Sequence, residues 1–183
     1  MVLEIVKYGH PALRQKGTQV TKIDAKIRKL AEDMLETMED ANGVGLAAQQ
    51  VGVPIQLAVI DVAGVEDRPS TLSIGGKEVN VDEHMPLILL NPELELDSER
   101  EDGLEGCLSF PEITAEIPRS PKVKVRAKNL EGKELSFEAT GLLARALQHE
   151  VDHLQGILFI DRMKSATRTA LASKLKRMQK EGA

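Results

Sequence analysis

The residues with most capacity for chemistry form one short run, Gln148-His149-Glu150-Val151-Asp152-His153. On a helix, positions i and i+4 lie one above the other on a single face, so His149 and His153 can grip one metal ion. Glu150, beside the first histidine, is placed to move protons for a water polarised by that ion. Two buried histidines with satisfied nitrogens would give the same spacing. A hydrolytic metal site wants three protein ligands and one open position. The lone cysteine, in Glu105-Gly106-Cys107-Leu108-Ser109-Phe110-Pro111, is one candidate for the third ligand. Its alternative is an inert small hydrophobe. Asp161 is the nearest carboxylate beyond the helix and is what an H-E-x-x-H peptidase would use. His10 and His84 sit in turn-like or loop contexts. A third segment, Gly43-Val44-Gly45-Leu46-Ala47-Ala48-Gln49-Gln50, combines glycines that permit close backbone approach with glutamine amides that can donate to a substrate oxygen. It is not a nucleotide-binding signature, and no nucleotide cofactor is expected.

Those residues need elements to hold them. Thr140 can cap a helix running to about Gln155, with Gly156 ending it. Leu143, Leu147, Val151 and Leu154 fall on one side of its wheel; Leu142, Ala146, His149 and His153 fall on another. Such a helix is packed on most of its circumference. Residues 24–41 read as an amphipathic helix, capped by Asp24, with Ile27, Leu30, Ala31, Met34, Leu35 and Met38 at helical spacing. A third helix, 165–180, is polar and basic. Ile55–Asp61 and Pro86–Asn91 read as buried strands. Val123, Val125 and Ala127 alternate with charged residues, as in a strand with one wet face. Glu131-Gly132 turns into Glu134–Ala139. Within the polar Gly64–Met85 segment, Gly75-Gly76 suggests a surface hairpin. Helix, several strands, then helix points to an α+β fold: small antiparallel sheets around a central buried helix carrying the histidines, with an N-terminal amphipathic helix and a C-terminal helix.

The length of 183 residues suits one domain, with a polar insertion near 64–85 and a basic helix near 165–180. One Tyr, three Phe and no Trp leave the core to aliphatic residues and argue against a base-stacking surface. The formal charge of −5 (24 − 29) argues against general polyanion binding. Arg162, Lys164, Arg168, Lys174, Lys176, Arg177 and Lys180 nevertheless crowd the C-terminus, either as a solvated face or as a docking surface for an anionic partner such as ribosomal RNA. A single cysteine fits a reducing cytoplasm. The N-terminus shows neither a signal peptide nor a spanning helix, so no membrane association is expected.

Gly43–Gln50, Glu105–Ser109 and His149–His153 together resemble the three motifs of the peptide deformylases, G-x-G-L-A-A-x-Q, E-G-C-L-S and H-E-x-D-H. They stand in the family's order without substitution at a fixed position. The resemblance runs from His10-Pro11-Ala12-Leu13-Arg14 to Ile157-Leu158-Phe159-Ile160-Asp161. Its main departure is the long Gly64–Met85 segment. The resemblance implies a cytoplasmic hydrolase that removes the N-formyl group from the formyl-methionine end of new polypeptides and releases formate. It makes Cys107, His149 and His153 the ligands of one divalent ion, Fe(II) natively, with Zn(II), Ni(II) or Co(II) as substitutes. Glu150 becomes the general acid–base. Gln50, rather than Gln49, and the backbone N–H of Leu108 stabilise the oxyanion. Val44, Gly45, Leu142 and Ala146 form the substrate channel and methionine pocket. Two rivals make different expectations: an H-E-x-x-H metallopeptidase that leaves Cys107 idle, and a ribosome-associated binding protein with a vestigial site.

Overall fold

Asp24 opens the first helix as its chemistry suggests, its carboxylate accepting from the Ile27 amide (3.0 Å). The computed structural model describes residues 1–183. Helix α1 spans Ala25–Asp40 and buries Ala31, Met34 and Met38. It stops where Asn42 adopts a left-handed conformation (φ 57°) and the Gly43 amide returns to the Met38 carbonyl. Nine strands follow: β1 (Gly45–Ala47), β2 (Leu57–Ile60), β3 (Ser70–Ile74), β4 (Lys77–Val79), β5 (Leu87–Leu96), β6 (Glu101–Cys107), β7 (Phe110–Arg119), β8 (Lys122–Lys128) and β9 (Glu134–Thr140). Helices α2 (Gly141–Leu154) and α3 (Ser165–Gly182) complete the chain. The α+β expectation of helices with antiparallel sheets holds.

Seven strands form one antiparallel sheet in the order β1-β2-β5-β8-β9-β3-β4, and β6 pairs with β7 in a separate two-stranded sheet. Helix α2 touches β1, β2, β3, β5, β8 and β9. Its Leu142, Leu143 and Leu147 pack with Leu89, Val123, Val125 and Phe137 of the sheet. Helix α1 covers Leu46, Leu57, Val59 and Leu90 with Met34 and Met38. A further cluster gathers Tyr8, Phe110, Ile117, Phe159 and Leu175 beneath the β6–β7 hairpin. Three of the four aromatic residues therefore sit together.

One expectation needs correction. Thr140 does not cap α2 through its side chain. It still pairs within the sheet, its hydroxyl bonded to Thr71 (2.5 Å), and Ser70 Oγ accepts from the Leu143 amide instead (2.9 Å). The hairpin expected around Gly75-Gly76 is present as β3–β4, and β3 also pairs with β9, so it lengthens the main sheet. Strands β6 and β7 are elements that the sequence does not signal. Gly103, Gly106, Pro111 and Pro118 lower the strand preference of both, yet they pair from Glu101↔Arg119 to Gly106↔Thr114.

Candidate metal centre

Two pieces of the fold converge on one point. Residues Cys107, His149 and His153 each offer a donor atom, and these atoms lie within 4.8 Å of one another. Cys107 ends β6, where the pairing slips and the chain turns through Leu108 and Ser109 into β7. The two histidines stand one turn apart on α2, both buried, with ring centroids 5.0 Å apart. Cys107 Sγ is 3.4 Å from His153 Nε2. His149 uses Nδ1 to meet Glu105 Oε1 (2.8 Å), leaving Nε2 free for an ion. Phe159 lies against the His149 ring at 5.7 Å and Phe110 against Phe159 at 5.0 Å, which helps keep the site dry.

A divalent ion fits this donor set on two grounds. Thiolate and imidazole are ligands for Fe(II) and Zn(II), and three of them leave an open position. The electrostatics agree. Burial works to lower the basicity of His149, but Glu150, Cys107 and Glu105 override it and hold the ring well above its ordinary value. His153, buried beside His149, is pushed well below its own. The carboxylates and thiol around His149 thus favour positive charge in the pocket.

Glu150 follows His149 and faces the same cavity, a cleft of about 450 Å³. Burial raises its carboxyl to about 7, and its Oε1 has no hydrogen-bond partner. Gly45 explains how the carboxylate fits. A Cβ at that position would stand 2.5 Å from Glu150 Oε2. Gln50 is held by a turn at Ala48–Val51, with its Oε1 accepting from the Ala47 amide (2.9 Å). That bond fixes the amide orientation, because a backbone N–H must meet the oxygen. Gln50 Nε2 is thereby turned toward Ser109 Oγ (3.2 Å) and Cys107 Sγ (3.6 Å). Gln49 points away and donates to the Gln15 and Leu154 carbonyls. Val44, Gly45, Leu108, Leu142 and Ala146 all line the cleft with Glu150.

Asp161 is engaged elsewhere. It takes two bonds from Arg14 (2.5 and 3.2 Å) and one from the Leu158 amide. Asp152 pairs with Arg119 (2.6 Å) and Arg162 (3.0 Å). Glu105 is the residue that sequence reasoning left without a role. It holds His149, and it also binds Arg119 (2.9 and 3.0 Å) and Arg145 (2.9 Å). Burial would raise its carboxyl, but His149 and Arg119 outweigh that and bring it down to about 2. Its place two residues before Cys107 carries no signal by itself, because β6 is not legible as a strand and its pairing slips between Gly106 and Cys107.

Known proteins resemble this chain along most of its length. The family model for polypeptide deformylase matches residues 2–169. A peptide deformylase of Methylacidiphilum infernorum is 49% identical over 180 residues, covering 98% of this chain and 94% of its own. The crystal structure of peptide deformylase from Thermus thermophilus is 37% identical, covers 100% of both chains and superposes with a TM-score of 0.82. That from Thermotoga maritima is 41% identical, covers 90% of this chain and 99% of its own, and has a TM-score of 0.77.

Proposed function

Because the chain belongs to the polypeptide deformylase family, we propose that Cys107, His149 and His153 hold one divalent ion while Glu150, Gln50 and the Leu108 amide carry out the proton and charge chemistry. The activity is that of the family: metal-dependent hydrolysis of the N-formyl group from new polypeptides. The observation that carries the assignment of roles is the meeting of three donor atoms within 4.8 Å beside a buried, unpartnered Glu150 carboxylate.

When bound, the ion supplies Lewis-acid polarisation and eases ionisation of the attacking water. Glu150 accepts the proton that water loses, and oxygen adds to the formyl carbon. Negative charge then grows on the formyl oxygen. Gln50 Nε2, aimed by its bond to Ala47, and the amide of Leu108 oppose that charge. Glu150 passes its proton to the departing nitrogen as the carbon–nitrogen bond breaks. The products are formate and a free amino terminus. A carboxyl raised to about 7 can both take and return a proton near neutrality. Val44, Gly45, Leu142 and Ala146 receive the methionine side chain in the cleft. Fe(II) is assigned as the native ion from the family resemblance alone, and a thiolate with two imidazoles also accepts Zn(II), Ni(II) or Co(II).

The finer organisation follows from the same reading. Residues 1–183 act as one catalytic domain around α2, the central helix bearing the motif. No helix is long and apolar enough to cross a membrane, and the lone thiol suits a reducing cytoplasm. The basic C-terminus divides into two groups, with Lys174 apart from both and donating to the Glu112 carbonyl (3.3 Å). Arg162, Lys164 and Arg168 pair with Asp152, Asp102 and Asp161. Lys176, Arg177 and Lys180 have no such partner and are exposed, so they form the candidate contact with ribosomal RNA. Deleting α3 would uncover the cluster around Leu175 and Phe110, so charge reversal of those three residues is the cleaner test. It should reduce co-sedimentation with ribosomes and leave peptide turnover intact.

The catalytic reading is tested by formate release from formyl-Met-Ala-Ser with anaerobically prepared, Fe(II)-loaded protein. Turnover that nearly vanishes in Glu150→Ala supports it. A variant with a full metal complement and parental turnover would refute the role of Glu150.

A further inference from the structure

The three donor atoms come from parts of the fold that no sheet joins. Cys107 belongs to the β6–β7 hairpin and the histidines to α2. Whatever fastens hairpin to helix therefore sets the spacing of the ligands.

Arg145 precedes His149 by four residues, so it lies one turn earlier on the same face of α2. Its guanidinium crosses from helix to hairpin. Nη1 donates to Glu105 Oε2 (2.9 Å), to the Ile117 carbonyl (2.7 Å) and, at longer range, to the Gly103 carbonyl (3.4 Å). Nη2 donates to the Glu101 carbonyl (2.9 Å). One side chain thus holds the backbone of both β6 and β7, together with the carboxylate that orients His149. A planar fork with several fixed donors can span these points, whereas an ammonium cannot. Arg119 also joins the two pieces, but it belongs to β7, and its side chain bonds α2 at Asp152. Arg145 is the helix's own hold on the strand backbone.

Gly103 supplies an independent observation. Its backbone is not in the left-handed region, so conformation does not call for glycine there. Space does. A Cβ at Gly103 would stand 2.6 Å from Arg145 Cζ and Nη2. The strand is bare at the point where the guanidinium lies against it.

We infer that Arg145, seated against Gly103, is a positioning residue that keeps Cys107 within ligating range of His149 and His153. This inference rests on the metal-site reading above. The test uses Co(II)-loaded protein and follows the decay of thiolate–cobalt absorption after excess chelator is added. Parent, Arg145→Gln, Gly103→Ala and the double variant are compared, with unfolding of the metal-free proteins measured alongside. Loss of a direct outer partner of a metal ligand weakens binding by about 10–100-fold, and Arg145 acts one bond further out, through Glu105, so Arg145→Gln should release cobalt about three- to tenfold faster than the parent. Gly103→Ala should also speed release by displacing the guanidinium, and should add nothing once Arg145 is gone. A merely structural arginine would lower metal-free stability and leave the release rate unchanged. Release within about twofold of the parent from Arg145→Gln overturns the inference. Should that variant fail to fold, the same result from Gly103→Ala overturns it, as do independent effects in the double variant. A parent that takes up no cobalt sinks the metal site and the inference together, while a cobalt-binding parent with unaffected variants sinks the inference alone.

Discussion

Gly45→Ala isolates the placement of Glu150 from the binding of the ion. The added carbon would meet Glu150 Oε2 at 2.5 Å and both Cδ and Cγ at 2.9 Å. Turning the carboxylate about its last bond relieves the first contact and leaves the Cγ contact. The side chain must therefore change an inner rotamer or α2 must shift, and either moves the carboxylate by about 1 Å. Misplacement on that scale costs about 10²-fold in rate, or about 2.7 kcal/mol of barrier. Overpacking should also lower stability by about 1–3 kcal/mol. The three atoms nearest the added carbon all belong to Glu150, so where its rotamer change absorbs the clash, metal content should stay at the parental level. The assay is kcat/KM for a formylated tripeptide, with metal stoichiometry and thermal unfolding measured on the same preparations. A folded, fully loaded Gly45→Ala within about threefold of the parent would refute the argument that this glycine exists to seat Glu150.

Three further outcomes follow from the same geometry. Gln50→Ala removes the oriented Nε2 donor and should cost about 10²–10³ in kcat at full metal loading; an unchanged kcat would remove Gln50 from the oxyanion site. Cys107→Ser should empty the site in metal analysis, whereas Asp161→Asn should leave it filled, the reverse of what an H-E-x-x-H peptidase with a distal carboxylate requires. Asp161 also sets an acid limb of stability. Burial would raise its pKa, but the Arg14 and Leu158 bonds hold it below the unfolded value of 3.8. Its contribution is therefore full above that value and is lost as pH falls through the folded one. Asp161→Asn should destabilise near neutrality by about 1 kcal/mol or less, since the pair is partly exposed, and the gap in urea midpoint should close in acid. A gap that widens in acid would reverse the sign of the argument.

How much of this was legible in the sequence depends on the distance over which each residue acts. His149, Glu150 and His153 were legible because a helix converts a spacing of four into one face. The three ligand and oxyanion segments also carried a family resemblance, which placed Cys107 and Gln50 beside them. The supports were not legible, because each is a contact between residues far apart in the chain. Arg145 meets Glu101 and Gly103 across more than forty positions, and Ser70 caps a helix that begins after Thr140. Local composition even pointed the wrong way for the hairpin that delivers Cys107. Two glycines in β6 and two prolines in β7 weaken the strand signal. In the fold, Gly103 makes room for Arg145. The residue that obscured the strand in the sequence is the one that lets the helix hold it. A feature read locally as a weak strand is, at long range, a fitted surface. The same holds for Gly45, which reads as a point of close backbone approach and serves as the space that Glu150 fills. At both positions the missing side chain can be understood only from the partner that occupies its place.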